Sequence, residues 1–223
     1  MDLIVKICGL STEETLDAAL DAGADMIGLN FFPKSPRFIS VADGVRLAKR
    51  ARGRAEVVAL TVDMDDSVID ALVDAVKPDW LQLHGTESAD AVAAIKQALG
   101  VKVMKALPVA TRGDLDRVPR YAAVVDRLLL DARPPKGADR PGGHGRPFDW
   151  TILEGFAPAK PYLLSGGLNP GNVAEAIAIT VAPGVDVSSG VETAPGRKDP
   201  DLIRAFVAAA RRASVTAVRR AAS

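Results

Sequence analysis

Two glycine-rich turns lie about one strand–helix unit apart, Leu164-Ser165-Gly166-Gly167-Leu168-Asn169-Pro170 and Val187-Ser188-Ser189-Gly190-Val191. Each follows a short apolar run. Backbone N–H groups at a glycine turn beside a helix start form an anion site. Two such turns from consecutive units suit the grip of a barrel enzyme on a substrate phosphate. Upstream, Cys8 ends an apolar run and is followed at once by Gly9. Strand alternation puts Lys6 on the same face one layer below. A cation there favours the thiolate, which acts as a base or nucleophile; the plainer reading of a lone cysteine is a buried small hydrophobe. Asp131 follows Leu128-Leu129-Leu130. Loss of water favours a neutral carboxyl, which makes Asp131 a candidate proton donor; a helix cap or a pairing with Arg133 is the alternative. Arg37 closes a loop stiffened by Pro33 and Pro36, and its planar fork suits a carboxylate. A solvated surface arginine is the commoner case. His84, in Gln82-Leu83-His84-Gly85, suits either a polarising group or a hydrogen-bonded wall residue.

These positions gain meaning from the elements that carry them. Branched and apolar runs predict strands near 3–7, 25–31, 57–62, 80–83, 101–105, 127–131, 162–165 and 185–188. Helical patterns fall between them, one opened by a capping box at Ser11-Thr12-Glu13-Glu14. Helices are expected near 41–50, 67–76, 88–99, 114–124, 172–180 and 200–213. A loop rich in Pro and Gly spans 134–147. Eight alternations predict a single-domain (β/α)8 TIM barrel over residues 1–213, followed by a frayed tail over 214–223. An open doubly wound sheet is the alternative, but its phosphate turn usually follows the first strand as G-x-G-x-x-G, and Cys8-Gly9-Leu10 is not one. A weak echo of an aspartate before an apolar run recurs at Asp25, Asp79 and Asp186. In this fold the strand C-terminal ends carry the chemistry, which selects Cys8, Asn30, His84, Lys105, Asp131, Ser165 and Ser188.

Bulk properties narrow the function. At 223 residues the chain is long for one domain and tight for two. The 28 basic and 28 acidic residues cancel, so no general attraction to nucleic acid or an anionic membrane is expected. Aromatic content of 4% offers no base-stacking platform. One cysteine excludes an internal disulfide and fits a reducing, cytoplasmic setting. No apolar run is long enough to span a bilayer, and the N-terminus has no basic signal region. No His/Cys/Asp spacing suggests a metal, and no Gly-x-Ser-x-Gly elbow suggests a serine triad. Trp80 and Trp150 are expected to pack the barrel.

Taken together, Lys6-Ile7-Cys8-Gly9-Leu10, Phe32-Pro33-Lys34-Ser35-Pro36-Arg37, Gln82-Leu83-His84-Gly85, Leu130-Asp131, Gly142-Gly143-His144-Gly145, Phe148-Asp149-Trp150, Ser165 to Pro170, Val185 to Glu192 and Pro195-Gly196-Arg197-Lys198-Asp199 resemble the phosphoribosylanthranilate isomerases of tryptophan biosynthesis. The segments fall in order over nearly the whole chain. The resemblance implies a cofactor-free Amadori rearrangement of N-(5-phosphoribosyl)anthranilate to the deoxyribulose phosphate, and neither metal nor cofactor. It implies Asp131 as general acid toward the ribose ring oxygen and Cys8 as general base toward the C2′ proton. Arg37 would hold the anthranilate carboxylate, and Asp186 and His84 would line the site. Gly166, Gly167, Ser188, Ser189 and Gly190 would hold the phosphate. Lys6 and the local field would have to lower the Cys8 pKa. Two departures stand out: relatives often carry threonine at His144, expected as a lid element, and alanine at Ser165. A histidine-pathway isomerase, with paired aspartates and two phosphate clamps, fits Cys8 less well. A non-catalytic sugar-phosphate sensor would be expected to have lost Cys8 or Asp131. The only partner implied is the small-molecule substrate; a monomer is the simpler expectation and a homodimer the alternative.

Overall fold

In the computed structural model, which describes residues 3–221 except 136, 139, 140, 144 and 146, eight parallel strands pair in chain order and the last returns to the first. They are β1 (Ile4–Cys8), β2 (Met26–Asn30), β3 (Glu56–Thr61), β4 (Trp80–Leu83), β5 (Lys102–Val109), β6 (Arg127–Ala132), β7 (Tyr162–Leu164) and β8 (Gly184–Val187). Closure pairs Lys6 with Asp186 and Ile7 with Val187. This is the expected (β/α)8 barrel. His144 lies outside the described residues.

Strand alternation sorts the apolar residues into two cores. Met26, Val58, Trp80, Met104, Leu129 and Leu163 fill the barrel interior. Val5, Ile7, Ile27, Leu81, Leu128 and Val185 face the surrounding helices. Those helices are α1 (Glu13–Asp21), α2 (Val41–Ala51), α3 (Asp66–Val76), α4 (Ala89–Leu99), α5 (Val118–Ala122), α6 (Val173–Thr180) and α7 (Pro200–Ala221). Thr12, Ser40 and Ser88 cap three of them through their hydroxyl oxygens, each satisfying an N–H that the first turn leaves open. The two tryptophans divide: Trp80 plugs the interior between Arg127 and Lys102, and Trp150 packs in the outer layer.

The aspartate echo has a physical basis at two of its three positions. Asp25 accepts from the N–H of Val5, and Asp79 from that of Val57, each at 2.7 Å. Each carboxylate before a strand thus caps the preceding strand. The third member of this set is Asp126, which accepts from Val103. Asp186 does something else: it sits inside β8 and pairs with Lys6.

Several spans depart from expectation. Strand β5 continues through Val109, beyond the expected end at 105, because Pro108 lies in register with Asp131. A 3-10 segment (Arg112–Arg117) and the short α5 replace the helix expected over 114–124. After β6 a 3-10 turn (Trp150–Leu153) stands in the helix position. A hairpin of β9 (Glu192–Ala194) and β10 (Arg197–Lys198) follows β8; strands this short carry no legible alternation. Residues 214–221, read as a frayed tail, continue α7. Arg211 ties that helix to the barrel through the carbonyl of Gly23 and the carboxylate of Asp25.

Candidate active site

The strand ends open into a cavity of about 280 Å³. Cys8, Arg37, His84, Asp131, Gly166, Gly167, Asp186, Ser188 and Ser189 all line it. Cys8 and Asp131 therefore share one space although β1 and β6 stand three strands apart. Gly190 does not line the cavity: its Cα lies under the carbonyl of Leu168, where a Cβ would collide. Gly190 shapes the turn, and its neighbours face the cavity.

Around Cys8 the wall is charged. The Lys6 ammonium is fully buried and donates to Asp186 Oδ1 at 2.7 Å. Ser165 donates to the other carboxylate oxygen at 3.0 Å. The Cys8 sulfur lies against Gly28 of β2, where a Cβ would come within 2.8 Å of it. Burial pushes the thiol pKa up; Lys6 and Lys198 pull it back and Asp186 adds to the rise, and the net direction is upward. The expected lowering by Lys6 is present but smaller than the desolvation it opposes. Burial likewise pulls on Lys6, yet Asp186 and Cys8 hold its pKa above the ordinary lysine value.

Around Asp131 the wall is made of hydrogen bonds. Asp131 is 5% exposed. Its Oδ1 accepts from the N–H of Ala132 at 2.9 Å, and its Oδ2 meets His84 Nε2 at 3.2 Å. Gln82 Nε2, fully buried below, donates to His84 Nδ1 at 2.9 Å. With Nδ1 accepting, the imidazole proton sits on Nε2 and points at Asp131. Gly142 covers the pair; a Cβ there would press on Asp131 Oδ2 and His84 Nε2. Lys105, on the strand-end shortlist, turns away from the cavity. It is 2% exposed and holds the loop after β4 through Gly85 O and Glu87 Oε2.

The two glycine turns meet at the β7 and β8 ends. Gly166 and Gly167 have φ of +87° and +68°, a region open to glycine at no steric cost. Among the described residues, the N–H groups of Gly166, Gly167, Ser189 and Gly190 find no protein acceptor. Ser188 donates to the carbonyl of Cys8 at 3.1 Å, which joins the second turn to the thiol strand.

Arg37 is fixed at both its backbone and its guanidinium. Asn30 and Ser35 bond each other, and Ser35 Oγ accepts from the Arg37 N–H. Its Nε and Nη2 donate to Glu192 Oε1 and Oε2 at 2.7 and 2.8 Å. Glu192 also accepts from Lys198 Nζ at 2.8 Å. Burial disfavours the Glu192 charge, but Arg37 and Lys198 hold its carboxyl below the usual range. Burial takes Lys198 down to about 8 against the pull of Glu192. The sequence motifs that contain Glu192, Lys198 and Gln82 assign them no role, since a buried charge or amide has no sequence mark that separates it from a surface one. Among the described residues no group of three or more His, Cys, Asp or Glu side chains is arranged to hold a metal, and no helix is long and apolar enough to cross a membrane.

Fold and site together define a (β/α)8-barrel enzyme with open backbone N–H groups at the β7–β8 turns and a thiol and a carboxyl at the cavity wall. Residues 5–209 match the family model of N-(5'phosphoribosyl)anthranilate (PRA) isomerase, and the chain belongs to that family. It is 60% identical over 214 residues to an N-(5'-phosphoribosyl)anthranilate isomerase of Afipia carboxidovorans, covering 96% of this chain and 92% of that one. The phosphoribosyl anthranilate isomerase structure from Thermotoga maritima superposes with TM-score 0.85 at 35% identity, covering 94% of this chain and 98% of that one. A phosphoribosyl anthranilate isomerase in complex with reduced 1-(o-carboxyphenylamino)-1-deoxyribulose 5-phosphate gives TM-score 0.82 at 33% identity over the same shares.

Proposed function

We propose that this chain catalyses the Amadori rearrangement of N-(5-phosphoribosyl)anthranilate in tryptophan biosynthesis, with Asp131 as general acid and Cys8 as general base. The observation that carries this reading is the shared cavity: thiol, carboxyl and the two glycine turns border one space. Asp131, protonated, gives its proton to the ribose ring oxygen while the anilino nitrogen pushes its lone pair toward C1′. The C1′–O bond breaks and an iminium forms. The Cys8 thiolate then takes the C2′ proton, and the released electron pair neutralises the iminium nitrogen. The resulting enolamine tautomerises to the ketone.

The two groups act in opposite protonation states, so their surroundings must differ. Lys6 and Lys198 offer cations to the thiolate, and the His84 N–H meets the carboxylate that Asp131 becomes. The open N–H groups of Gly166, Gly167, Ser189 and Gly190 take the phosphate, with the Ser189 hydroxyl at the same wall and Ser188 shaping the turn through its bond to the Cys8 carbonyl. Arg37 takes the ring carboxylate, and Asp186 lines the same end. A monomer is the simpler working unit and a homodimer the alternative; light scattering after size exclusion distinguishes them. The single buried thiol suits a reducing cytoplasm. Generating the substrate in situ and following loss of its fluorescence with this protein alone tests the activity. Unchanged fluorescence at high enzyme concentration refutes it.

A further inference from the structure

The β9–β10 hairpin lies outside the barrel, yet it reaches into the site with two buried charges. The side chains of Glu192 and Lys198 are 4% and 1% exposed. Buried charges are costly and persist only with close partners. Glu192 has four donors: Arg37 Nε, Arg37 Nη2, Lys198 Nζ, and the N–H of Gly196 at 3.3 Å. Lys198 in turn donates to Ser188 O at 2.8 Å and Ser188 Oγ at 3.2 Å. One carboxylate thus ties the Arg37 loop to the β8 turn. The hairpin is seated tightly, since Gly196 packs on the carbonyl of Pro36, where a Cβ would clash.

The geometry at Arg37 is one-sided. Glu192 occupies the Nε–Nη2 edge of the guanidinium in a two-point pairing, which fixes both position and plane. Nη1 lies on the other side, against Gly143 at the cavity rim. Gly9 lies under the side-chain stem, where a Cβ would touch Cδ. The charge count matters as much as the aim. Glu192 alone would cancel Arg37 and leave nothing for an anionic ligand. Lys198 restores one net positive charge to the trio, so an anion arriving at Nη1 meets attraction and a preset plane.

We propose that Glu192 is the positioning residue that aims Arg37 at the ring carboxylate, with Lys198 as the buried counter-cation that keeps the cluster attractive to an anion. This rests on the reading of Arg37 as the carboxylate clamp. Glu192 touches no reacting atom; it acts through the guanidinium.

The test compares two ligands on the intact chain: reduced 1-(o-carboxyphenylamino)-1-deoxyribulose 5-phosphate and its counterpart without the ring carboxyl. The native chain is expected to prefer the carboxylated ligand by roughly tenfold to a hundredfold, the range for a charge-assisted hydrogen bond. Glu192→Gln is expected to bring that preference to within about threefold, with affinity for the carboxyl-free ligand unchanged. That second affinity also reports an intact phosphate cradle. Should Glu192→Gln fail to fold, the double variant Glu192→Gln/Lys198→Met removes the stranded cation and still leaves Arg37 unaimed, so the same loss of preference is expected. A preference that is retained or enlarged in these variants overturns the proposal, because a carboxylate that merely neutralised Arg37 would weaken anion binding and its loss would strengthen it. No preference in the native chain refutes the clamp itself, and the aiming role with it, while catalysis through Cys8 and Asp131 is read separately from turnover.

Discussion

The two walls of the cavity surround their titratable groups with different physics. Around Cys8 stand Lys6, Asp186 and Lys198, all buried, with Ser165 on the carboxylate. Around Asp131 stand a neutral amide, an imidazole and a backbone N–H in a line. At the thiol wall fixed charges act on a buried group, and desolvation outweighs their pull. The carboxyl wall holds its group by geometry, through hydrogen-bond donors. The lesson is that two titratable groups in one small cavity can keep unlike company, one among buried charges and the other among hydrogen bonds.

The comparison breaks most sharply if either group is dispensable. Cys8→Ser and Asp131→Asn should each lower kcat by about 10³-fold with KM changed little, the range for a lost acid or base. Near-native turnover in either variant removes that group from the proton transfers. Lys6→Met probes the charged wall next. It leaves Asp186 buried without its cation, which should cost about 3–5 kcal/mol in denaturant unfolding, and it should raise the thiol pKa further. A stability within experimental error of the native value would mean the pair contributes nothing to the folded state.

The pH dependence sharpens the same contrast. Burial holds the Cys8 pKa above the ordinary thiol value, so thiolate grows with pH beyond that point. The limb of kcat/KM that needs the base should rise about tenfold per pH unit below it. Cys8 is the sole cysteine, so ultraviolet thiolate absorbance, with Cys8→Ser as blank, gives its titration directly. A midpoint below the ordinary thiol range contradicts the dominance of burial. The smallest effect is expected on the carboxyl wall: Gln82→Leu frees His84 to turn and should lower kcat several-fold with little change in KM. An unchanged pH profile and kcat would show that His84 holds Asp131 without help from the amide.

Much of this was legible beforehand, for identifiable reasons. The eight strand–helix alternations write themselves in apolar periodicity, and Cys8, Asp131 and the glycine turns stand at strand ends, where position alone marks them. The β9–β10 hairpin was not legible, because strands of three and two residues have no period. Asp186 looked like a member of the aspartate echo, and only the register of β8 against β1 showed it facing Lys6 instead of capping a strand. Lys105, selected by the strand-end rule, points the other way, since alternation puts every second end residue among the helices.

What the sequence determined by itself is the barrel and the positions of the thiol, the carboxyl and the glycine turns, because periodicity and local motif chemistry act over a few residues; the family came from the resemblance of ordered segments along the chain. What only the tertiary structure decided is the company those groups keep. Lys6 with Asp186, Arg37 with Glu192 and His84 with Asp131 are 180, 155 and 47 residues apart in the chain. Barrel closure brings them within hydrogen-bond distance, and the loss of water there sets the balance between field and desolvation that governs Cys8.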